Sequence, residues 1–407
     1  MSAASGALVG PGRFNVVLRM PPWRTWRRIV AVALAVVVGL LVVSTARHLE
    51  VLAPSGAHAV GRERMTWIDG HRFESGTAVS GDKRAVPMQV WFPAESGTGD
   101  AGQYIPNLPT IGDGLVESGE VGAIEVRGLQ WVRHHAADGA TVATSGGSYP
   151  LVILSPGNAT NVAFYATVAE DLASRGYVVV GIDHPFQVAA VDLPNGSIAT
   201  YQPDLVAADV ASRDRILTAK IEERVEDIAF VLSTIRADRE FLHGRVDVER
   251  VAVVGHSNGG LAAAEACRRV ATVNACVNLD GQAAGGPLGT DVGAPAPDQP
   301  FLFVTKEARL HPTIGARFEV AGEGAYRVVL PAAAHDSFVD SALFTPSLNP
   351  FARTVDNVAS SSRNLVAAFI DLTLRDAPPR SMGDVDVPAD TYVNVYPLGD
   401  RPPLPSQ

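Results

Sequence analysis

Gly255-His-Ser-Asn-Gly259 sets a serine between two glycines, directly after the apolar, β-favouring run Val251 to Val254 and directly before Leu261-Ala-Ala-Ala-Glu-Ala266. The pattern predicts a strand, a sharp turn and a helix. Glycines at those two positions leave room for a strained backbone that pushes the Ser257 hydroxyl out beyond the end of the strand. A serine hydroxyl is a poor nucleophile at neutral pH, so it needs an adjacent base, and the base needs a third group to hold its tautomer. The chemistry open to such a set is acyl transfer through a covalent acyl-enzyme. A plain strand-to-helix turn with Ser257 as a helix cap would use the same residues, so the downstream partners decide.

His335 is the candidate base. It follows the last strand expected before the final helix, in the small-residue loop Ala332-Ala-Ala-His335-Asp-Ser-Phe338. His256 is locked inside the turn itself, and His311 stands in reserve. The acid has two candidates, Asp280 in Val277-Asn-Leu-Asp280-Gly281 and Glu307 in Val304-Thr-Lys-Glu307, each at the end of an expected strand. Position alone does not choose between them. An oxyanion needs two backbone N–H groups, one from the residue after the nucleophile and one from a loop after an early strand. Those are Asn258 and, in Ser155-Pro-Gly-Asn158, Asn158. Two cysteines and scattered histidines make no metal-ligand pattern, and the proposed chemistry calls for no cofactor.

The elements that must position these groups can be read in order. Val86 to Phe92 alternates as a strand, with Pro87 pointing to a sheet edge. Pro150 to Ser155 and Tyr177 to Asp183 are continuous apolar strands, separated by a helix from Phe164 to Arg175 that Gly176 closes. A polar excursion runs from His184 to about Ala211, where it either covers the site or is passive surface. Residues 212–236 have helical periodicity. Strands follow at Ala275 to Leu279, Phe301 to Thr305 and Tyr326 to Leu330, and then a helix from Asn357 to Leu374. This alternation predicts an α/β class with a mostly parallel, doubly wound sheet and helices on both faces. His134 and His135 read as solvated surface. Cys267 and Cys276 are compatible either with a disulfide or with two small buried residues.

The chain has 407 residues, 47% of them hydrophobic, enough for a sizeable core. Residues 1–28 form a basic segment containing five arginines and no acidic residue. Residues 29–46 carry no charge; as a helix they would span roughly 27 Å. We expect a signal peptide or an uncleaved transmembrane anchor there, which places the remainder outside the cell, membrane-anchored or secreted. Residues 47–80 read as a spacer, 81–376 as one catalytic domain and 377–407 as a Pro-rich tail. The formal net charge is −10, which argues against nucleic acid as a partner. Nothing in the sequence specifies an oligomeric state.

The segments Val90-Trp-Phe-Pro93, Tyr149 to Gly157, Asp171 to Tyr177, Gly255 to Gly260, Leu279-Asp-Gly281 and His335 to Asp340 together resemble, in order, the plasma-type platelet-activating factor acetylhydrolase family of α/β-hydrolases. The resemblance covers roughly residues 84 to 372. It implies an α/β-hydrolase fold and a serine esterase with Ser257 as nucleophile, His335 as base and Asp280, over Glu307, as acid. Pro156-Gly157 stands where the family often has His-Gly; that histidine side chain is not needed for a backbone N–H to the oxyanion, so the departure implies an altered loop shape rather than lost activity. The substrate implied is a carboxylic ester, lipid or short acyl. Two further readings remain open, acyl transfer by the same triad and a non-catalytic exported binding protein on this fold.

Overall fold

In the computed structural model, the described residues are 23, 26–36, 49–77, 79–203, 209–281, 299–306, 318, 324–344, 352–375, 385 and 391–396. The chain divides into two units, residues 1–47 and 48–407. In the first, residues 26–36 are helical, with Ile29, Val30, Val32, Leu34 and Val36 exposed. The uncharged stretch 29–46 runs on past residue 36 and out of the described residues. No helix among the described residues is long and apolar enough to cross a membrane.

The second unit is organised by a large sheet. Its strands are β1 (Ala59–Phe73), β2 (Lys83–Ala94), β3 (Asp100–Ala101), β4 (Ala136–Asp138), β5 (Tyr149–Ser155), β6 (Val178–Ile182), β9 (Val246–His256), β10 (Ala275–Leu279), β11 (Phe301–Thr305), β12 (Ala325–Val329) and β13 (Tyr392–Tyr396), while β7 (Ala190–Asp192) and β8 (Ile198–Thr200) pair apart. The order across the main sheet is β13-β12-β11-β10-β9-β5-β6-β2-β1-β4-β3. From β12 to β6 every pairing is parallel, and β13 and β2 join its two sides antiparallel.

Side chains on successive residues of a strand point to opposite faces, and here each face carries its own core. Val152, Leu154, Ala252, Val254, Val277 and Leu279 share a core with α1 (Leu108–Glu117), α2 (Ala166–Ser174) and α5 (Ala352–Leu374). Leu151, Ile153, Val251, Val253, Cys276 and Phe303 pack on the other face with α3 (Val210–Ala237) and α4 (Asn258–Arg269). Both faces are covered, so strands at the sheet centre are apolar throughout, as parallel strands are.

The fold departs from the sequence expectations at several points. Pro87 lies in β2, between β6 and β1, not at an edge. Its carbonyl accepts from Asp183 N–H at 2.9 Å, so the N–H it lacks would face the same side, just past Ile182 where β6 has ended. The imino acid therefore forgoes only the reciprocal bond to Asp183, at the very end of the ladder, and no bond inside it. The stretch 47–80, expected to be a spacer, contains the 15-residue β1, and the tail contains β13. Both extend the sheet beyond the bounds 81–376. His134 is nearly buried, with Nδ1 3.2 Å from Glu170 and Nε2 2.9 Å from the Gly102 carbonyl. Nothing beside it in the sequence gave a sign of the buried Glu170 on α2 that receives it. Cys267 and Cys276 form a disulfide that ties α4 to β10.

Candidate active site

β9 ends in the turn expected from Gly255 to Gly259, and α4 begins at Asn258. Ser257 at its apex has φ 54° and ψ −121°, a conformation that L-residues rarely adopt. Close packing around the turn explains the flanking glycines. A Cβ on Gly255 would lie 2.0 Å from the Gly259 carbonyl oxygen, and one on Gly259 would lie 2.0 Å from that of Ser155. The turn thus fits only with bare backbone at both positions, which leaves Ser257 partly exposed between them.

Three elements converge on this serine. Ser257 Oγ–H donates to His335 Nε2 at 3.0 Å, and His335 Nδ1–H donates to Asp280 Oδ2 at 2.7 Å. Asp280 follows β10, itself at a positive φ of 50°. Its other oxygen accepts from Thr305 Oγ1 at 2.9 Å and from Lys306 N–H at 3.3 Å. Burial by itself would raise the Asp280 carboxyl, but the hydrogen bonds from His335, Thr305 and Lys306 outweigh it and hold the group below its ordinary range. An ionised Asp280 keeps the proton on Nδ1 of His335, so that Nε2 is free to accept from the serine. Glu307 and His311 lie outside the described residues.

The N–H of Asn258 opens α4, where no carbonyl of the preceding helical turn exists to receive it; the first bond of the helix runs from Leu261 N–H to the Ser257 carbonyl. The loop Pro156-Gly157-Asn158 lies alongside, close enough that a Cβ on Gly157 would stand 3.5 Å from Ser257 Cβ. Asn158 Nδ2 donates to Tyr201 Oη at 2.7 Å, so the excursion after His184 reaches this loop.

Two supporting groups carried no sequence signal of their role. Gly157 N–H donates to Tyr165 Oη at 2.9 Å, and Tyr165 O–H donates to His256 Nδ1 at 2.8 Å. His256 Nε2–H then donates to the His335 carbonyl at 3.1 Å. Burial, with the neighbouring His335 adding to it, pushes His256 down to about 3. It therefore stays neutral, the form that both accepts from Tyr165 and donates to the base loop. The histidine inside the turn thereby braces the loop that carries His335.

A second serine, histidine and aspartate line up behind the first set. Ser155 Oγ lies 3.0 Å from His184 Nε2, and His184 Nδ1 lies 2.8 Å from Asp227 Oδ2. All three are fully buried or nearly so, with Ser155, His184 and Asp227 each at 0% exposure. Burial pushes His184 down to about 4, making its contact to Asp227 a neutral-donor hydrogen bond. Asp227 also takes both guanidinium groups of Arg84, at 2.6 Å, and Arg72, at 2.7 Å. An ester cannot reach Ser155, and an aspartate already occupied by two arginines is a structural anchor. Ser257, partly open, and His335, with its side chain 40% exposed, are the set that substrate can meet.

Residues 44–352 match the family described as platelet-activating factor acetylhydrolase, isoform II. Among individual proteins, a probable 1-alkyl-2-acetylglycerophosphocholine esterase of Arthroderma benhamiae is 30% identical over 154 residues, 38% of this chain and 36% of that protein. A platelet-activating factor acetylhydrolase of Cavia porcellus is 26% identical over 182 residues, 40% of this chain and 41% of that protein. The matched stretches thus span well under two thirds of either relative. The structure of a ferulic acid esterase from Streptomyces cinnamoneus superimposes with a TM-score of 0.66 at 27% identity, covering 84% of this chain and 98% of that one.

Proposed function

The chain belongs to the platelet-activating factor acetylhydrolase, isoform II, family, and on that premise we propose that it is a serine hydrolase of carboxylic esters that uses Ser257, His335 and Asp280. The observation that carries this reading is the continuous relay from Ser257 Oγ through His335 to Asp280, set on a strained turn that opens to solvent. His335 Nε2 takes the Ser257 proton as Oγ attacks the ester carbonyl carbon. The N–H groups of Asn258 and Asn158 receive the developing oxyanion. His335 then protonates the departing alkoxide, which leaves as the alcohol, and an acyl-enzyme remains on Ser257. Water enters, gives a proton to His335 and attacks the acyl carbon, and collapse of the second tetrahedral intermediate returns that proton to Ser257 and frees the acid.

A carboxylic ester, lipid or short acyl, is the substrate class we infer: the names acetylhydrolase and 1-alkyl-2-acetylglycerophosphocholine esterase of similar proteins support the short acyl group, and ferulic acid esterase supports the wider ester class. We also infer export, anchored or secreted. Its support is the basic segment before the uncharged stretch 29–46, together with the Cys267–Cys276 disulfide, a bond that persists in oxidising compartments.

The test is to offer p-nitrophenyl acetate, a 2-acetyl glycerophospholipid and a feruloyl ester to the full chain and to Ser257→Ala. Loss of all turnover in the variant supports the nucleophile. Equal turnover by the two proteins would overturn it.

A further inference from the structure

Arg224 is the side chain that the mechanism above leaves without a role. It lies on α3 in register with Ile221, Val225 and Ile228, on the stripe that faces the sheet, and it is fully buried. Its four partners are all neutral: Nη1 donates to the Pro156 carbonyl at 2.6 Å and to Ser155 Oγ at 3.4 Å, Nη2 to the Gly157 carbonyl at 3.5 Å, and Nε to Gln187 Oε1 at 2.7 Å. Among the described residues no carboxylate lies within ion-pair distance of it. Asp227 and Glu223 support its charge only from beyond contact, their ion pairs being made to Arg84; a buried cation whose direct contacts are all neutral is costly, and an apolar side chain of the same volume would serve the packing of α3 on the sheet more cheaply. Burial lowers Arg224 only to about 10, so the charge is present at neutral pH.

Its donors fall on the two carbonyls of the loop beside Ser257. In a trans peptide the carbonyl and the following N–H point in opposite directions. Holding the Pro156 carbonyl therefore turns Gly157 N–H the other way, where it meets Tyr165 Oη. Holding the Gly157 carbonyl turns Asn158 N–H away from the guanidinium. Gln187 adds a third tie, since its side chain fixes Arg224 and its carbonyl accepts from Ala159 N–H at 2.8 Å. Ala159 itself is held at φ 59°.

We propose that Arg224 is a positioning residue that sets the two peptide planes from Pro156 to Asn158 and so aims the Asn158 N–H at the oxyanion formed on Ser257. The proposal rests on the reading of Ser257 as nucleophile. An oxyanion donor acts in the transition state and little in the ground state, so a mis-set loop lowers kcat and leaves KM nearly alone. A residue that merely fills space lowers the folded fraction and leaves the kcat of each folded molecule unchanged.

The experiment measures kcat and KM on p-nitrophenyl acetate for the full chain, Arg224→Lys, Arg224→Met and Ser257→Ala, with active sites counted by end-point labelling with a fluorophosphonate. Arg224→Lys keeps the charge and the stem but reaches only one carbonyl, and it carries the test where Arg224→Met does not fold. The expected result is a kcat per labelled site at least ~10-fold lower in both variants, with Met below Lys and KM little changed. Parent kcat per site in either variant overturns the proposal, as does a loss confined to KM. With Ser257→Ala inactive, such a result refutes the role of Arg224 alone; an active Ser257→Ala refutes the site reading beneath it.

Discussion

Replacing each of the two serines in turn separates the exposed relay from the buried one. In Ser155→Ala the hydroxyl that donates to His184 Nε2 is lost in a region with no exposure. A buried acceptor left without its donor costs about 1–3 kcal/mol. The methyl group fills nearly the same space, so no large cavity adds to that figure. The four partners of Arg224 reduce to three, and the one lost is its long 3.4 Å contact. We expect urea unfolding to report a loss within that range while kcat on p-nitrophenyl acetate stays near the parent value. Ser257→Ala, by contrast, removes the attacking atom, and rate losses on the order of 10⁴- to 10⁶-fold accompany removal of such a nucleophile. Its side chain is partly exposed and makes one hydrogen bond within the relay, so unfolding free energy should barely move. The assay is steady-state hydrolysis on both variants alongside urea titration of each. If Ser155→Ala abolished hydrolysis and fluorophosphonate labelling while Ser257→Ala retained them, the assignment based on solvent access would be wrong.

Other consequences can be measured in the same preparations. Asp280→Asn should lower kcat by about 10⁴-fold at neutral pH, because an amide no longer fixes the Nδ1 proton of His335, while Glu307→Gln stays near parent; the reverse ranking of the two rates would show that the acid is Glu307. Replacing both Cys267 and Cys276 by serine opens a short loop and should cost roughly 2–3 kcal/mol in urea unfolding, an expectation that unchanged stability under oxidising conditions would contradict. Asp340 is buried, and that burial outweighs its bonds from Thr167 and Tyr104 and raises it to about 7. The folded state thus holds a proton that the unfolded chain releases near pH 4, so this contribution is complete below about pH 4 and is lost as pH rises to about 7. Relative to Asp340→Asn, the parent should therefore lose stability by a few kcal/mol between pH 4.5 and 8; parallel pH profiles of the two proteins would refute the buried-acid explanation.

Most of the sheet could be read from the chain because central parallel strands are apolar on both faces and are punctuated by turns. The runs at Tyr149–Ser155, Val178–Ile182 and Ala275–Leu279 needed no knowledge of their neighbours. The antiparallel side was harder. β1 alternates buried and exposed residues irregularly and carries charged side chains at Arg62, Glu63 and Arg64, so its burial pattern follows from what covers it more than from its composition. The site divides in the same way. Ser257, Asp280 and His335 sit at strand ends in a fixed order, which sequence preserves. Tyr165, His256 and Arg224 act by contacts to backbone groups across the fold, and a backbone carbonyl has no identity in a sequence. Arg224 did leave one trace. It interrupts the apolar stripe formed by Ile221, Val225 and Ile228, where a charge has to be explained by something buried opposite it.

The two margins of the main sheet are finished differently. At one end β3 is two residues long and begins with an aspartate, too short and too charged to recruit a foreign strand. At the other, β12 is covered by β13, which comes from the far end of the chain and pairs with it over five residues from Tyr392 to Tyr396. A chain cut after Arg375 would keep every residue of the relay and still lay bare a row of amide and carbonyl groups along β12. The segment Tyr392–Tyr396 therefore acts as a selvedge for β12: it spends that strand's amide and carbonyl groups within the molecule and moves the margin of the sheet one strand outward, to β13 itself.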